Sequence, residues 1–162
     1  GGLVFEVKDD DQIEILDNEI VQINGFTGKV VSISLTRTKI ESLNGEVMTI
    51  SNGLIKEVIN YSVNPVCASV DVEIENVKDI FEIITKIEEK IVSIKEDYPQ
   101  IIEGPLVNGI ENFNNGNVSI KIIAKTPYEK KQVVERAIRK KVLEVANKNG
   151  IRLNVDKIEV LK

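Results

Sequence analysis

The sequence predicts an α+β protein with two domains, a small β-barrel over residues 1–65 and a mixed domain over residues 66–162. In the first part, apolar residues recur at every second position in short runs separated by Asn, Asp and Gly, a pattern typical of strands joined by tight turns. In the second part, two long stretches keep the three-and-four spacing of amphipathic helices. Residues 60–65 follow neither period and end in Pro65, so the domain boundary is predicted there.

The first domain is predicted to contain strands around residues 3–7, 21–23, 31–35 and 48–50, with Val31, Ile33 and Leu35 on one face. Asn-Gly pairs at 24–25, 44–45 and 52–53 separate these runs, because both residues tolerate the positive φ that tight turns need. Regularly spaced short strands of this kind favour a small barrel.

The second domain opens with residues 66–74, in which Val66 and every second residue after it are apolar, predicting a strand with one buried face. One long helix is predicted next, with Asn76 as its N-cap and an apolar face that includes Phe81 and runs to Ile94. Beyond the break at residues 104–105, a short strand at 106–110, a turn at 112–117 and a strand at 118–125 are predicted.

The second helix is predicted to begin at residues 126–129, where Thr126 and Glu129 have the spacing of a capping box and Pro127 suits the first helical position. Gly150 is expected to end this helix, and residues 151–161 to form a last strand. The resulting order is strand, helix, strand, strand, helix, strand. That order predicts a ferredoxin-like βαββαβ domain.

Composition excludes much enzymatic chemistry. The chain has no histidine and one cysteine, Cys67, so Ser-His and Cys-His triads, His-bearing zinc sites and an internal disulfide are not possible. The glycines match no phosphate-binding loop, and the three aspartates at 9–11 lack the ligand spacing of a cation loop, so turns explain both. No catalytic residue, cofactor or metal is therefore predicted, and the protein is not expected to be an enzyme.

Charge is distributed unevenly. Residues 1–66 hold ten acidic and five basic residues, whereas residues 67–162 hold sixteen of each. The second helix is basic, which is compatible with a phosphate or acidic partner but is more simply a solvated face. The strand at 118–125 lacks the aromatic residues on which RNA-binding sheets stack bases, so nucleic acid is not expected as a partner.

One set of motifs is more specific than the patterns above. The segments at residues 23–30, 38–40, 44–47, 50–53 and 60–62 resemble, in order and spacing, the β-domain of the small-conductance mechanosensitive channel (MscS) family. Six positions carry the resemblance and are expected to have structural roles: Gly25, Gly28, Thr38, Asn52, Gly53 and Asn60. Ser51 departs from the family pattern, in which proline is usual before the Asn-Gly pair.

The resemblance implies an Sm-like β-barrel over residues 1–65, the ferredoxin-like domain after it, and transmembrane helices before residue 1. It also implies a sevenfold homo-oligomeric ring on the cytoplasmic side of the cell membrane. The full-length protein would open under membrane tension and release ions and small osmolytes on hypo-osmotic shock. An RNA-binding protein built from an Sm-like barrel and a ferredoxin-like module is the alternative hypothesis.

Overall fold

The chain consists of two compact units, which divide between Asn64 and Pro65. The structure is a computed structural model that describes residues 2–6, 12–114 and 116–155, with side chains over 15–113 and 116–154. Residues 9–11, the predicted aspartate turn, lie outside the described residues. Each unit has its own core.

Unit 1 is built mainly from β-strands. Its strands are β1 (Gly2–Glu6), β2 (Gln12–Leu16), β3 (Ile20–Ile23), β4 (Phe26–Ile33), β5 (Arg37–Glu41), β6 (Val47–Ser51) and β7 (Val58–Asn60). β1 and β2 form a two-stranded antiparallel sheet, and the other five strands form an antiparallel sheet in the order β6-β5-β4-β3-β7. Three strands, β2, β5 and β7, are additional to the predicted runs. A small aliphatic core lies within the unit: Ile15, Val21, Ile23, Val30 and Ile40.

Val31, Ile33 and Leu35 do not share one face of a strand as predicted: β4 ends at Ile33, which packs against the core of unit 1, whereas Val31 and Leu35 are exposed. Val31 is 41% exposed and Leu35 is 99% exposed, whereas Gly28 and Val30 are buried. The register explains the difference, because Val30 pairs with Ile40 and Ser32 with Lys39, so Val31 is an extra residue in a β-bulge. A bulge interrupts the alternation of side chains along a strand, and local periodicity does not reveal it.

Unit 2 combines an antiparallel sheet with helices. Its elements are β8 (Val66–Glu75), α1 (Ile80–Ile91), α2 (Ile94–Asp97), β9 (Glu103–Asn114), β10 (Asn117–Thr126), α3 (Lys131–Lys148) and β11 (Leu153–Val155). The sheet order is β11-β8-β10-β9. The alternation predicted for β8 is confirmed, because Ala68, Val70, Val72 and Ile74 are buried together with isoleucines of α1 and valines of α3.

The first helix of unit 2 differs from its prediction. It begins after Asp79 rather than Asn76, whose backbone N–H instead donates to the Gly116 carbonyl at 2.8 Å. Helical hydrogen bonding is interrupted after Ile91, which divides the predicted single helix into α1 and α2. Phe81, predicted on the apolar face, is 71% exposed, because Ile80, Ile83 and Ile84 occupy the positions that face the sheet.

The prediction for the second helix is wrong at its start and correct at its end. Thr126 does not cap it, because Thr126 is the last residue of β10 and its side chain is fully buried. A 3-10 turn over Tyr128–Lys130 precedes α3. The predicted end at Gly150 is confirmed: Gly150 has φ +64°, and the N–H of Ile151 donates to the Ala146 carbonyl at 2.9 Å. This is the pairing of a Schellman motif.

β9 is longer than the short strand predicted for residues 106–110. It includes Pro105 near its start, a position that an edge strand tolerates because one side of its backbone needs no sheet partner. Register shifts along its pairing with β10 show that β9 is irregular over much of its length.

Candidate functional site

The motif positions of unit 1 lie partly in turns and partly in strands: Gly25, Asn52 and Gly53 lie in turns, and Gly28, Thr38 and Asn60 lie in β4, β5 and β7. Over the residues that the structure describes, no group of three or more Cys, Asp or Glu side chains could hold a metal ion. Cys67, the one thiol, is exposed on β8. Of the helices described, none is both long and apolar enough to cross a lipid bilayer.

Thr38 and Asn52 are brought together by the pairing of β5 with β6. The fully buried Thr38 hydroxyl donates to Asn52 Oδ1 at 2.8 Å, and Asn52 Nδ2 donates to the Ser34 carbonyl at 3.0 Å. The Asn52 backbone N–H also donates to the Thr36 carbonyl at 2.8 Å. One asparagine therefore ties the loop between β4 and β5 to the end of β6, and satisfies a buried hydroxyl at the same time.

Gly25 belongs to the two-residue turn between β3 and β4. Asn24 and Gly25 have φ values of +48° and +85°, and the flanking residues Ile23 and Phe26 are paired. Positive φ at both central residues is the geometry of a type I′ hairpin, which Asn-Gly favours. The Asn24 side chain extends this turn, because its Nδ2 donates to the Leu54 carbonyl at 2.8 Å and its Oδ1 accepts from Lys56 N–H at 3.2 Å.

Gly28 and Gly53, both glycines of the family motif, differ in the space available for a side chain. Gly28 is buried in β4, and a Cβ placed there would lie 2.7 Å from the Glu41 carbonyl oxygen of β5. Gly28 is therefore needed for close approach of two strands. Gly53 is exposed in the 3-10 turn Asn52–Leu54, and a Cβ there would have no atom within 4 Å.

Asn60, at the end of β7, takes part in hydrogen bonds that connect the residues after β7 to the start of β3. Its Oδ1 accepts from the Ser62 N–H at 2.9 Å, and Ser62 Oγ accepts from the Ile20 N–H at 2.8 Å. Of the motif positions, only Thr38 and Asn52 contact each other directly through side chains. The sequence did not identify Ser34 as the residue whose carbonyl accepts from Asn52, or Asn24 as a residue that bonds to Leu54 and Lys56. The Asn-Gly pair at 24–25 is itself a signal for a constrained turn.

Two buried threonines provide a test of this hydrogen bonding. In Thr38→Val, Asn52 Oδ1 loses its donor, so we expect the free energy of unfolding to fall by about 1–2 kcal/mol. The Thr126 hydroxyl has no partner among the described residues, and so Thr126→Val should leave stability unchanged or raise it by up to about 1 kcal/mol. Urea denaturation followed by circular dichroism measures both variants. Equal losses in the two variants would contradict the assigned hydrogen bond.

Unit 1 also exposes large apolar side chains. Leu35 and Leu43 are 99% and 87% exposed in loops, and the two edge strands of the five-stranded sheet expose Val47 on β6 and Ile59 on β7. Exposed apolar surface beside open strand edges is a feature of surfaces that another chain covers.

Comparison with known proteins connects these motifs to one family. Residues 10–63 match the family described as the mechanosensitive ion channel β-domain. A small-conductance mechanosensitive channel of Caldanaerobacter subterraneus subsp. tengcongensis is 33% identical over 149 residues. The alignment covers 92% of this chain and 51% of that protein, so the chain spans about half the length of the relative.

Solved structures share the fold at lower identity. The crystal structure of Helicobacter pylori MscS in a closed state superposes with a TM-score of 0.65 at 18% identity, over 91% of this chain and 59% of that one. The cryo-EM structure of Arabidopsis thaliana MSL1 has a TM-score of 0.61 at 13% identity, over 86% of this chain and 53% of that one. The mixed fold, the β-domain match and the relative that aligns along nearly the whole chain lead to one conclusion: this chain belongs to the small-conductance mechanosensitive channel (MscS) family.

Proposed function

We propose that this chain is the cytoplasmic portion of a membrane channel that opens under membrane tension and releases ions and small osmolytes on hypo-osmotic shock. The observation that carries the proposal is the 33% identity to a mechanosensitive channel over 92% of the chain. The transmembrane helices would belong to the part of the full-length protein that precedes this chain.

The two units suit the domains of such a cytoplasmic portion. We propose that unit 1 is an Sm-like barrel and unit 2 a ferredoxin-like domain. In unit 2 the order β11-β8-β10-β9 places the first and third strands at the centre of an antiparallel sheet, as the split βαβ arrangement requires. In unit 1 the Sm-like barrel is supported by the five-stranded antiparallel sheet and by the bulge in β4, because a bulge bends the strand that contains it.

We further propose a homo-oligomeric, sevenfold ring. The two edges of the unit 1 sheet, β6 and β7, differ in sequence, so a contact between the β6 edge of one copy and the β7 edge of the next would be heterologous. Heterologous contacts form a closed ring when the rotation from one copy to the next closes. Such contacts would cover the apolar residues exposed at both edges, Val47 and Ile59. The ring would enclose a water-filled chamber that filters solutes by size and charge, which requires no catalytic residue.

Osmotic shock provides the functional test. The full-length protein, expressed in bacteria that lack their own mechanosensitive channels, should restore survival on transfer from high to low osmolarity. Patches of the same membranes should show currents that begin at a threshold suction. The 162-residue chain expressed alone is the control and should restore neither. Normal expression of the full-length protein without tension-gated currents would contradict the proposal.

The RNA-binding alternative has little support. On the two central strands of the unit 2 sheet, β8 and β10, no aromatic residue occurs. Base stacking on a sheet of this kind depends on such residues.

A further inference from the structure

The helix α3 has a strong positive charge in a chain whose net charge is −5. Between Lys131 and Lys148 it carries six basic residues and two acidic residues, Glu135 and Glu144. Both acids are already engaged. Glu135 Oε2 accepts from the Ser69 backbone N–H at 2.9 Å, and Glu144 Oε2 lies 3.7 Å from Lys90 Nζ and 4.0 Å from Lys141 Nζ. Little negative charge therefore remains on α3 to neutralise its other cations.

Two of these cations, Arg136 and Lys140, lie on one face of α3, because residues four apart in a helix are neighbours. Both are exposed, and neither has an ion-pair partner within 4 Å in the described part of the chain. They line an open depression of about 400 Å³ between α2 and α3. Its lining includes Asp97, Tyr98, Val133, Arg136, Lys140 and Lys141.

The floor of the depression is apolar. Tyr98, Val133 and Ala137 are half-buried and pack against the core of unit 2, so these side chains are held in place from below. The charged lining consists of three cations against one carboxylate, that of Asp97. Lys141 lies 4.0 Å from Glu144, so the cations without such a partner are Arg136 and Lys140. A guanidinium and an ammonium group beside an apolar floor suit a phosphate group carried on a small organic moiety. The volume is within the range of small-molecule sites.

A second groove on the same helix lacks this property. It lies between α1 and α3 and also has a volume of about 400 Å³. Its charged lining consists of Lys86, Lys90 and Lys148 together with Glu89 and Glu144. Lys86 Nζ is 3.5 Å from Glu82 and 3.0 Å from Asn149 Oδ1, and Lys90 pairs with Glu144. Internal partners thus compensate two of its three lysines, which makes this groove a natural control.

We propose that the depression lined by Tyr98, Arg136 and Lys140 is a binding site for a phosphate-bearing ligand. The phosphate would accept hydrogen bonds from the Arg136 guanidinium and the Lys140 ammonium, and the rest of the ligand would lie on Tyr98 and Val133. The same chemistry is found in soluble phosphate esters and in phospholipid headgroups, and the experiment below distinguishes these two sources. The site is independent of the proposed channel function.

The test is a titration of the whole chain with inorganic phosphate and with phenyl phosphate at constant ionic strength. Binding is monitored by the amide chemical shifts in NMR spectra. Saturable shifts are expected at Tyr98 and around Ala137, with tighter binding of phenyl phosphate because its ring contacts the apolar floor. Arg136→Gln should weaken phenyl phosphate binding by about tenfold, the effect of losing one charge-assisted contact. Asp97→Asn should tighten it by roughly threefold, since a repulsive carboxylate is removed.

The matched control is Lys148→Gln, which removes one positive charge from the same helix but in the second groove. The dissociation constant of this variant for phenyl phosphate should stay within about twofold of that of the unsubstituted chain. Equal weakening by Arg136→Gln and Lys148→Gln would overturn the proposal, because it would show only diffuse attraction to a basic helix. Shifts that do not saturate would also overturn it.

Vesicles identify the source of the phosphate. If the chain co-sediments with phosphatidic acid vesicles but not with phosphatidylcholine vesicles, and Arg136→Gln abolishes this, the ligand is a lipid headgroup. If phenyl phosphate binds and the vesicles do not, the ligand is a soluble phosphate ester. If Arg136→Gln weakened neither the binding of phenyl phosphate nor the co-sedimentation with vesicles, the proposed site would be contradicted. Circular dichroism of each variant verifies that these exposed substitutions leave the fold intact.

Discussion

Ile87→Ala should lower the free energy of unfolding of unit 2 by about 3–4 kcal/mol. Ile87 is 1% exposed on α1 and belongs to the core that joins α1, α3 and the sheet. Truncation removes buried methyl and methylene groups, and the neighbouring isoleucines and valines relax only partly into the space that is left. Hydrogen exchange measured by mass spectrometry can locate the loss, which should appear in peptides of unit 2.

Phe81→Ala is the control for this variant, because it removes a larger side chain from the same helix. Phe81 is largely exposed, and alanine has the higher helix propensity, so stability should change by no more than about 0.5 kcal/mol. A loss in Phe81→Ala as large as that in Ile87→Ala would contradict the burial pattern of α1.

Gly28→Ala should destabilise unit 1 by about 2–3 kcal/mol. The added Cβ would lie 2.7 Å from the carbonyl oxygen and 2.8 Å from the carbonyl carbon of Glu41, and neither atom can rotate away because both belong to the backbone of β5. Strands β4 and β5 would have to separate locally, weakening the pairing of Lys29 with Glu41. Urea denaturation followed by circular dichroism and hydrogen exchange in peptides of β4 and β5 measure this effect.

Gly53→Ala is the matched control, since Gly53 is also a glycine of the family motif. No atom lies within 4 Å of an added Cβ, and its φ is not in the left-handed region, so we expect a change of no more than about 0.5 kcal/mol. If Gly28→Ala were as well tolerated as Gly53→Ala, close strand approach could not be the reason for glycine at position 28.

Much of the local structure could be predicted because it depends on neighbouring residues. The alternation from Val66 to Ile74 predicted a strand with one buried face, and Gly150 predicted the end of α3, because positive φ is readily available to glycine. The type I′ turn at Asn24-Gly25 is a similar case. The spacing of the motif around Gly28, Thr38 and Asn52 was also enough to predict the family to which the chain belongs.

Family membership, the β8 strand and the end of α3 were thus determined by the sequence alone, whereas other features depended on tertiary contacts between distant residues. The bulge at Val31 arises from the register between β4 and β5, and the exposure of Phe81 from the way in which α1 lies on the sheet. Thr126 has the spacing of a cap, yet its strand directs the side chain into the core. Tyr98 and Arg136 are far apart in sequence and line one depression only because α2 packs beside α3. Periodicity records which residues share a face, but burial depends on what packs against that face.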